Sequence, residues 1–342
     1  MNHTMMDSRP VIGVTMGDPS GIGPEVIIKY LLYETTNKDR IVVFGAKEVF
    51  DYYLNLFGIG MHINVIESPE RIKDDFRDGE LNIVQSQEFD MSKFEVGKLS
   101  SYSGLWAYRC VESAIDAAIA SHVDAIVTGP LNKKAMNMAG FKYNGHTEIL
   151  AKKTNTKDYV MMLASKRFRV ALVTTHVALR DVPPMIKKDR IVKTIEIVDR
   201  DLKKWFGIDK PRIAVSALNP HNSDGGLMGD EEEREIIPAV EEARSRGIDV
   251  YGSFSPDTLF IKNRRSQYDC FVAMYHDQGL IPLKVLYFDS SVNITLGIPI
   301  IRTSPDHGTA FDIAGKLIAN HKSITEAIRQ AHRMARWKQR NH

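Results

Sequence analysis

Short apolar runs alternate with longer amphipathic segments along most of the chain. The first run, Val11–Met16, leads through a glycine-containing turn into a helix-like segment with Pro24 and Glu25 in its first turn, where both residue types are favoured. Further strand-like runs follow at Arg40–Gly45 and Asp124–Thr128. Strands that alternate with helices are typical of parallel sheets covered by helices. The pattern therefore predicts the α/β fold class.

The second half of the chain continues the alternation. Residues Gly104–Ser121 have helical periodicity, and Ile298–Arg302 is predicted to be a strand. The C-terminal segment is predicted to be a helix that begins at Ser323, with Glu326 completing a capping box. Its basic residues between 329 and 340 are interpreted as a solvated helix face, since aromatic stacking groups are scarce beside them.

Composition narrows the class of protein further. A chain of 342 residues with 43% hydrophobic content can bury a large core, and such a length favours about two domains. Its 45 basic and 43 acidic residues nearly balance, so no global field attracts nucleic acid or acidic membranes. The first residues, MNHTMMDSRP, lack the apolar stretch of a signal peptide, and no later run approaches the length of a membrane span, which predicts a cytoplasmic protein. The two cysteines, Cys110 and Cys270, are expected to be reduced and buried.

Three histidines share one structural setting. His176, His221 and His276 each close, or lie just beyond, an apolar run that is typical of a buried strand; the runs are Val170–Thr175, Ile213–Leu218 and Phe271–Tyr275. Ligands of open α/β sheets gather outside the carboxyl ends of the strands, so three imidazoles placed there can converge. Three imidazole ligands leave a metal position open for water or substrate. The pattern predicts a catalytic divalent metal; the alternative for each residue is an ordinary hydrogen-bonded loop histidine.

Other polar groups indicate an anion site. His146 and Thr147 precede a helical stretch, where free N–H groups and the helix dipole favour negative charge; the alternative is that Thr147 is only an N-cap. Lys284, Asn293 and Arg302 lie in largely apolar surroundings, which favours recognition of a carboxylate or phosphate over simple surface exposure.

The glycine loop after the first strand does not match a dinucleotide fingerprint. Val26 stands where the third glycine of G-x-G-x-x-G should be, and no acidic residue ends the second strand to hold a ribose. The loop either presents backbone N–H groups and Asp18 to a ligand or is only a tight turn.

A family resemblance covers residues 11 to about 316. The segments that carry it are VTMGDPSGIGPE, VTGPLNKKAMNMAGFKYNGHTE, TTHVALRDVP, ALNPHNSDGGLMGDEE, SPDTLF, AMYHDQGLIPLK and VNITLGIPIIRTSPDHGTAFDIAGK. They resemble the 4-hydroxythreonine-4-phosphate dehydrogenase family of vitamin B6 biosynthesis, often called PdxA. The segment DHGTAFDIAGK is also similar to the adenosine-binding loop of isocitrate and isopropylmalate dehydrogenases, with Phe311 in place of the usual proline.

The resemblance implies a fold and a set of ligands. The fold is an isocitrate/isopropylmalate dehydrogenase-like pair of α/β lobes with a cleft between them, which we expect at residues 8–130 plus 300–342 and at 131–299. The cofactor implied is NAD or NADP, and the metal Zn, Mg or Co. The family is homodimeric with its active site at the interface, so one metal-binding histidine comes from the partner chain. The implied metal ligands are His176, His221 and His276; the substrate residues are His146, Thr147, Lys284, Asn293 and Arg302; the nucleotide residues are His307, Gly308, Thr309, Ala310 and Asp312.

The reaction implied is oxidation of 4-phosphooxy-L-threonine to a β-keto acid that decarboxylates to 3-amino-2-oxopropyl phosphate. A divalent metal suits both steps, because it stabilises an alkoxide and then the charge that develops as CO₂ leaves. Lys284 is the candidate base, while Asp257 and Asp277 either orient histidines or cap loops. The alternatives are a dehydrogenase of D-threonate or D-erythronate 4-phosphate and a non-catalytic protein that binds a phosphometabolite.

Overall fold

A computed structural model describes residues 9–36, 39–166 and 168–341. The strands are β1 (Val11–Thr15), β2 (Arg40–Phe44), β3 (Ile63–Ile66), β4 (Leu81–Val84), β5 (Ala125–Thr128), β6 (Val160–Ser165), β7 (Phe168–Leu172), β8 (Ile213–Ser216), β9 (Val250–Phe254), β10 (Cys270–Ala273), β11 (Val292–Leu296) and β12 (Arg302–Pro305). The α-helices are α1 (Gly23–Tyr33), α2 (Lys47–Phe57), α3 (Ile72–Asp75), α4 (Ser101–Ile119), α5 (Lys133–Met138), α6 (His146–Lys153), α7 (Val182–Met185), α8 (Lys188–Phe206), α9 (Ile237–Ser245), α10 (Pro256–Leu259), α11 (Lys262–Arg265), α12 (His276–Tyr287) and α13 (Lys322–Asn341). A π-helical turn, Glu232–Ile236, leads into α9.

The chain divides into two compact units, and the first takes the chain up to residue 155 and from residue 299 onward. Its strands follow the order β3–β4–β2–β1–β5–β12, and all the neighbouring strands run parallel. Strands β1, β2, β4 and β5 are buried throughout, as expected for a parallel sheet covered on both faces. The largest fully buried side chains here include Tyr53, Phe44 and Phe50.

The second unit takes residues 156–298. Its strands follow the order β11–β6–β7–β10–β8–β9. Strand β6 runs antiparallel to both neighbours, whereas β7, β10, β8 and β9 run parallel to one another. A cluster that includes Phe168, Phe271 and Leu283 packs strands and α12 together. The predicted α/β class is confirmed in both units.

The first unit includes more of the chain than the predicted boundary at residue 130 implied. The ring of Tyr108 in α4 stacks on Phe141, with the ring centroids 3.8 Å apart. A Cβ on Gly104 would lie 2.1 Å from the carbonyl oxygen of Ala135, so glycine lets α5 approach α4 closely. These contacts hold the segment that follows β5 against α4, and the observed division falls after residue 155 instead.

Two local predictions were wrong. The strand predicted at Ile298–Arg302 begins only at Arg302, because Pro299 lacks an N–H and Gly297 turns the chain with φ of +97°. The Ser323 side chain does not cap α13; its hydroxyl accepts a hydrogen bond from Asp306 N at 3.0 Å, whereas the Asn320 side chain accepts from Lys322 N at 2.9 Å. The basic residues between 329 and 340 were interpreted as a solvated helix face. The surface ion pairs of Arg329 with Glu34 and Glu326 are consistent with that interpretation.

Both cysteines are free and buried, and burial raises the pKa of each thiol to about 12. Among the described residues, none of the helices combines the length and apolar character needed to cross a bilayer.

Candidate active site

The carboxyl ends of three parallel strands bring histidines to one edge of the second unit. Strand β10 lies between β7 and β8, so the loops that follow these strands are neighbours. His276 is the first residue of α12, directly after β10, and His176 follows β7. Their ring centroids lie 5.5 Å apart. The topology thus brings together two of the three histidines that the sequence singled out.

The third histidine is not part of this pair. Over residues 9–36, 39–166 and 168–341, no three His, Cys, Asp or Glu side chains are grouped so that they could hold a metal ion. His221 is exposed and lies near Asp257. The Ser255 hydroxyl, which donates to Asp257 Oδ1 at 2.6 Å, holds the pKa of Asp257 below its usual range, and His221 lowers it further. The three histidines therefore do not form a metal-binding trio within the described residues of one chain.

Asp277 fixes the orientation of its neighbour. Its Oδ1 lies 2.7 Å from His276 Nδ1, an arrangement in which the imidazole donates Nδ1–H to the carboxylate. The Nε2 atom then remains available as a ligand on the opposite side of the ring. A carboxylate placed behind a histidine in this way is the usual support of a metal-binding imidazole.

The loop that carries His221 has an unusual backbone conformation. His221, Asn222, Ser223 and Asp224 have φ of 51°, 58°, 64° and 48°, although none of them is glycine. Each residue in this left-handed region costs about 1 kcal/mol or more, and such strain collects at functional sites. Surrounding contacts must hold the loop in place.

Glu232, in the π-helical turn, binds the residues that lead into this loop. Its Oε1 accepts from the backbone N–H groups of Leu218 and Asn219, both at 2.8 Å, and its Oε2 accepts from Asn219 Nδ2 at 2.8 Å. The side chain has 0% exposure. Sequence reasoning missed this role, because a glutamate within the acidic run GDEEERE has the pattern of a surface residue.

Gln278 joins two of the strand ends in a similar way. It accepts from Met274 N and donates to Ala217 O, both at 2.7 Å, so it bridges the ends of β10 and β8. Thr174 Oγ1 donates to Met274 O at 2.7 Å, which ties in the end of β7. Nothing in the sequence pattern identified these residues.

The remaining polar candidates of this unit lie near its apolar core. Lys284 is on α12, two turns after His276, and Asn293 is in β11; both are half-buried.

The first unit has a separate cluster of polar side chains near the end of β5. Arg302, which is 3% exposed, donates to Thr128 Oγ1 from Nε at 3.1 Å and from Nη2 at 2.7 Å. Burial lowers the pKa of this guanidinium to about 9. Burial, with Arg302 and Lys133 nearby, also holds the pKa of His146 well below its usual value, although its ring hydrogen-bonds to the backbone of Gly129. His146 is therefore a neutral imidazole.

Thr147 does not act as the N-cap of α6, so the alternative role predicted for it was wrong. The helix begins after Gly145, whose φ is 149° and which offers no side chain to cap it. Glu148 reaches back and accepts from Asn144 N at 2.8 Å and from Asn144 Nδ2 at 2.7 Å. The Thr147 hydroxyl thus stays available at the first turn of a helix, where backbone N–H groups favour an anion.

The predicted nucleotide loop packs on the turn after β1. Thr309 O accepts from Ile22 N at 3.0 Å, and a Cβ on Gly21 would lie 2.7 Å from that oxygen. His307 Nε2 is buried without a hydrogen-bond partner among the described residues, and burial lowers the pKa of this ring. A Cβ on Gly308 would meet nothing within 4 Å, Ala310 has φ of 42°, and Asp312 is exposed.

Asp18 in the same turn is a buried carboxyl. Its Oδ1 accepts from Ser20 N at 3.0 Å, while Oδ2 has no partner in the described part of the chain. Burial raises the pKa of Asp18 to about 7. The close packing that a third glycine would provide in a dinucleotide fingerprint occurs instead at Gly23, where a Cβ would lie 2.0 Å from Met16 O.

Both units have polar side chains at the carboxyl ends of parallel strands. This arrangement is typical of α/β proteins that bind small ligands at that edge of the sheet. A family model described as "Pyridoxal phosphate biosynthetic protein PdxA" matches residues 37–331. The chain belongs to this family, and the resemblance noted in the sequence is confirmed.

Similar proteins share nearly the whole chain. A protein of Desulfosudis oleivorans named 4-hydroxythreonine-4-phosphate dehydrogenase is 45% identical over 95% of this chain and 96% of its own length. A protein of Pectobacterium atrosepticum named D-threonate 4-phosphate dehydrogenase is 44% identical over 95% of this chain and 99% of its own length. The crystal structure of a 4-hydroxythreonine-4-phosphate dehydrogenase from Klebsiella pneumoniae superimposes with a TM-score of 0.88, at 41% identity, over 95% of this chain and 99% of that one. These relatives are named as dehydrogenases, which places the chain in a family of oxidoreductases.

Proposed function

We propose that this protein oxidises 4-phosphooxy-L-threonine with NAD or NADP, in a divalent-metal-dependent reaction whose β-keto acid product decarboxylates to 3-amino-2-oxopropyl phosphate. The observation that carries the proposal is the His176–His276 pair at the strand ends, with Asp277 behind His276, in a chain of this family. The proposed substrate-binding residues are His146, Thr147 and Arg302 in the first unit and Lys284 and Asn293 in the second.

The histidine pair fits a divalent metal, with His176, His276 and His221 as the proposed ligands. Asp277 leaves Nε2 of His276 for coordination, and the His176 ring is close enough to share the same ion. Because the described residues of one chain contain no such group of three ligands, we propose that His221 reaches the pair from a second copy. Zn, Mg or Co held there would act as a Lewis acid toward the hydroxyl oxygen and the developing enolate.

A homodimer is supported by apolar side chains on and after α12, the helix that carries His276 and Lys284. Val285 is 80% exposed, Phe288 73% and Ile281 59%. Soluble chains rarely leave such large side chains together in water. A second copy that covers this face would lie next to the histidine pair.

The residues of the chain divide the remaining tasks. Arg302 and the start of α6 bind and orient the anionic ends of the substrate, which reduces the entropic cost of reaching the reactive geometry. Asp277 and Asp257 hold His276 and His221 in fixed orientations. Lys284, on the same helix as His276, is the proposed acceptor of the hydroxyl proton. The loop of His307, Gly308, Thr309, Ala310 and Asp312 is the proposed binding site of the nucleotide.

A second substrate is favoured by one observation. Relatives named D-threonate 4-phosphate dehydrogenase are 44% identical to this chain, which lies within the 42–45% of those named for the hydroxythreonine ester. The two acids differ in an amino group, and one or two side chains can decide between them.

The test is reduction of NAD or NADP, followed at the absorbance of the reduced nicotinamide. The purified protein is given each metal in turn and then 4-hydroxythreonine 4-phosphate, D-threonate 4-phosphate or D-erythronate 4-phosphate. A kcat/KM that is highest for the hydroxythreonine ester supports the proposal, and a higher value for threonate or erythronate establishes the second function. Absence of turnover with every acid and metal would contradict both.

Variants link the activity to the histidines. His276→Ala and His221→Ala should each abolish turnover and weaken binding of Co²⁺, measured by its visible absorption, while circular dichroism stays unchanged. Full activity of either variant after metal stripping would refute the metal assignment.

A further inference from the structure

Lys133 lies beside the anion-binding candidates of the first unit, and it is not one of the residues that the sequence pattern singled out. It is the first residue of α5, and its Cε lies 3.7 Å from the point that a Cβ on Gly145 would occupy. Gly145 is the N-cap of α6, the helix that carries His146 and Thr147. The Lys133 side chain therefore extends over the start of that helix.

The state of His146 decides which groups there can carry positive charge. Burial, Arg302 and Lys133 keep the ring neutral by holding its pKa well below the usual value. Its Nε2 is buried without a partner in the described part of the chain, so the hydrogen bond to Gly129 belongs to Nδ1–H. The Nε2 atom of that tautomer is an acceptor. It can bind a hydroxyl but not an anionic oxygen, so the charge for an anion comes from Arg302 and Lys133.

The charge of Lys133 is not balanced by any carboxylate in the described part of the chain. It forms no ion pair with any of the residues that the structure describes, whereas Lys153 of the same unit pairs with Asp116. Glu148, the acidic residue in the first turn of α6, is engaged by the backbone and side-chain N–H groups of Asn144. An uncompensated cation beside a second cation and a helix N-terminus favours a ligand that brings more than one negative charge.

We propose that Lys133 binds the phosphate group of the substrate, together with Arg302 and the N-terminal N–H groups of α6. A phosphate monoester carries about two negative charges at neutral pH, which two cations match. Arg302 provides a planar guanidinium held by Thr128, and Lys133 provides a mobile ammonium at the exposed side. This assignment deepens the proposed function and rests on it for the identity of the substrate.

Lys134 is a matched control. It is the next residue of α5 and is also exposed, and its replacement by alanine changes the net charge by the same amount. Adjacent residues of a helix point in different directions, and Lys134 is not among the groups that shift the pKa of His146. A general effect of surface charge would appear equally in the two variants.

The first experiment measures binding of inorganic phosphate to the purified protein by titration calorimetry. Lys133→Ala should raise the Kd about tenfold, the effect of losing one charge-assisted hydrogen bond. Lys134→Ala should change it less than about twofold, and Lys133→Arg, which keeps the charge, should stay within about threefold of wild type. Equal effects of Lys133→Ala and Lys134→Ala, or no phosphate binding by wild type, would overturn the proposal.

The second experiment uses turnover and separates phosphate from the other end of the substrate. Lys133→Ala should raise KM for the phosphate ester about tenfold with kcat nearly unchanged, because the contact is made equally in ground and transition states. The kcat/KM for unphosphorylated 4-hydroxythreonine should not change. A matching loss for both substrates would refute a phosphate contact. Phosphate binding that depends on Lys133, without oxidation of any ester by wild type, would instead refute the proposed reaction and leave this site standing.

Discussion

Replacing Glu232 by glutamine tests whether one buried carboxylate holds the loop of His221. Wild-type Glu232 accepts three hydrogen bonds, from Leu218 N, Asn219 N and Asn219 Nδ2, each at 2.8 Å. Glutamine has the same shape but no charge, and its amide group would face the Asn219 amide, donor against donor. One bond is lost and two are weakened.

The magnitude follows from the difference between charged and neutral acceptors. A hydrogen bond to a charged group contributes about 2 kcal/mol and a neutral one about 1 kcal/mol. Losing one charged bond and weakening two should therefore lower the free energy of unfolding by about 4 kcal/mol. Urea unfolding followed by circular dichroism measures this change. Glu241→Gln is the control, since Glu241 is exposed on α9, and it should change the unfolding free energy by less than about 0.5 kcal/mol.

Hydrogen exchange gives a local readout of the same substitution. The amides of Leu218 and Asn219 should lose more protection in Glu232→Gln than amides in β6, which lies elsewhere in the same unit. Co²⁺ affinity should also fall, because the strained loop would no longer hold His221 in place. If Glu232→Gln matched Glu241→Gln in stability and its loop amides kept their protection, the carboxylate would not be what orders this loop.

Three further predictions address the fold, the assembly and the pH response. The pKa of Asp18 in the folded protein, about 7, exceeds its unfolded value of 3.8, so the contribution of this carboxyl to stability is lost as pH rises between these values. Asp18→Asn should therefore raise the free energy of unfolding by up to about 4 kcal/mol at pH 8 and by little at pH 4. An equal gain at both pH values in urea unfolding would contradict the raised pKa. Gly104→Ala places a Cβ 2.1 Å from Ala135 O and should lower the free energy of unfolding by about 3 kcal/mol or more. A thermal unfolding midpoint equal to that of wild type would show that α5 can move away from α4 at no cost. Val285→Asp puts a charge on the apolar face of α12. The variant should be a monomer by light scattering and should show no turnover, whereas an active monomer would disprove an active site shared between two subunits.

Local pattern was sufficient for the elements that bury their side chains. Apolar runs identified β1, β2 and β5, because a strand covered on both faces is apolar along its whole length. The same signal failed at Ile298–Arg302, where proline and glycine in an apolar segment prevent strand geometry until Arg302. Ser323 failed as a cap because a tertiary partner, Asp306 N, takes its hydroxyl.

Residue chemistry and the positions of strand ends were enough to predict part of the candidate site. His176 and His276 were expected near each other, and they are, because β7 and β10 are parallel neighbours. The family resemblance implied that one histidine comes from a partner chain, but residue pattern did not indicate which one. The left-handed backbone of the His221 loop, and the bonds from Glu232 to Leu218 fourteen residues earlier, are tertiary features.

The sequence by itself determined the alternation of strands and helices, the family, and the set of polar side chains at the strand ends, because these depend on residue identity and short-range periodicity. Tertiary structure decided which of those side chains meet and in what state. Strand order pairs His176 with His276, burial beside Arg302 and Lys133 keeps His146 neutral, and a closed interior leaves Asp18 partly protonated near neutral pH. Each of these outcomes depends on neighbours distant in the chain, whose desolvation and charge no local pattern encodes.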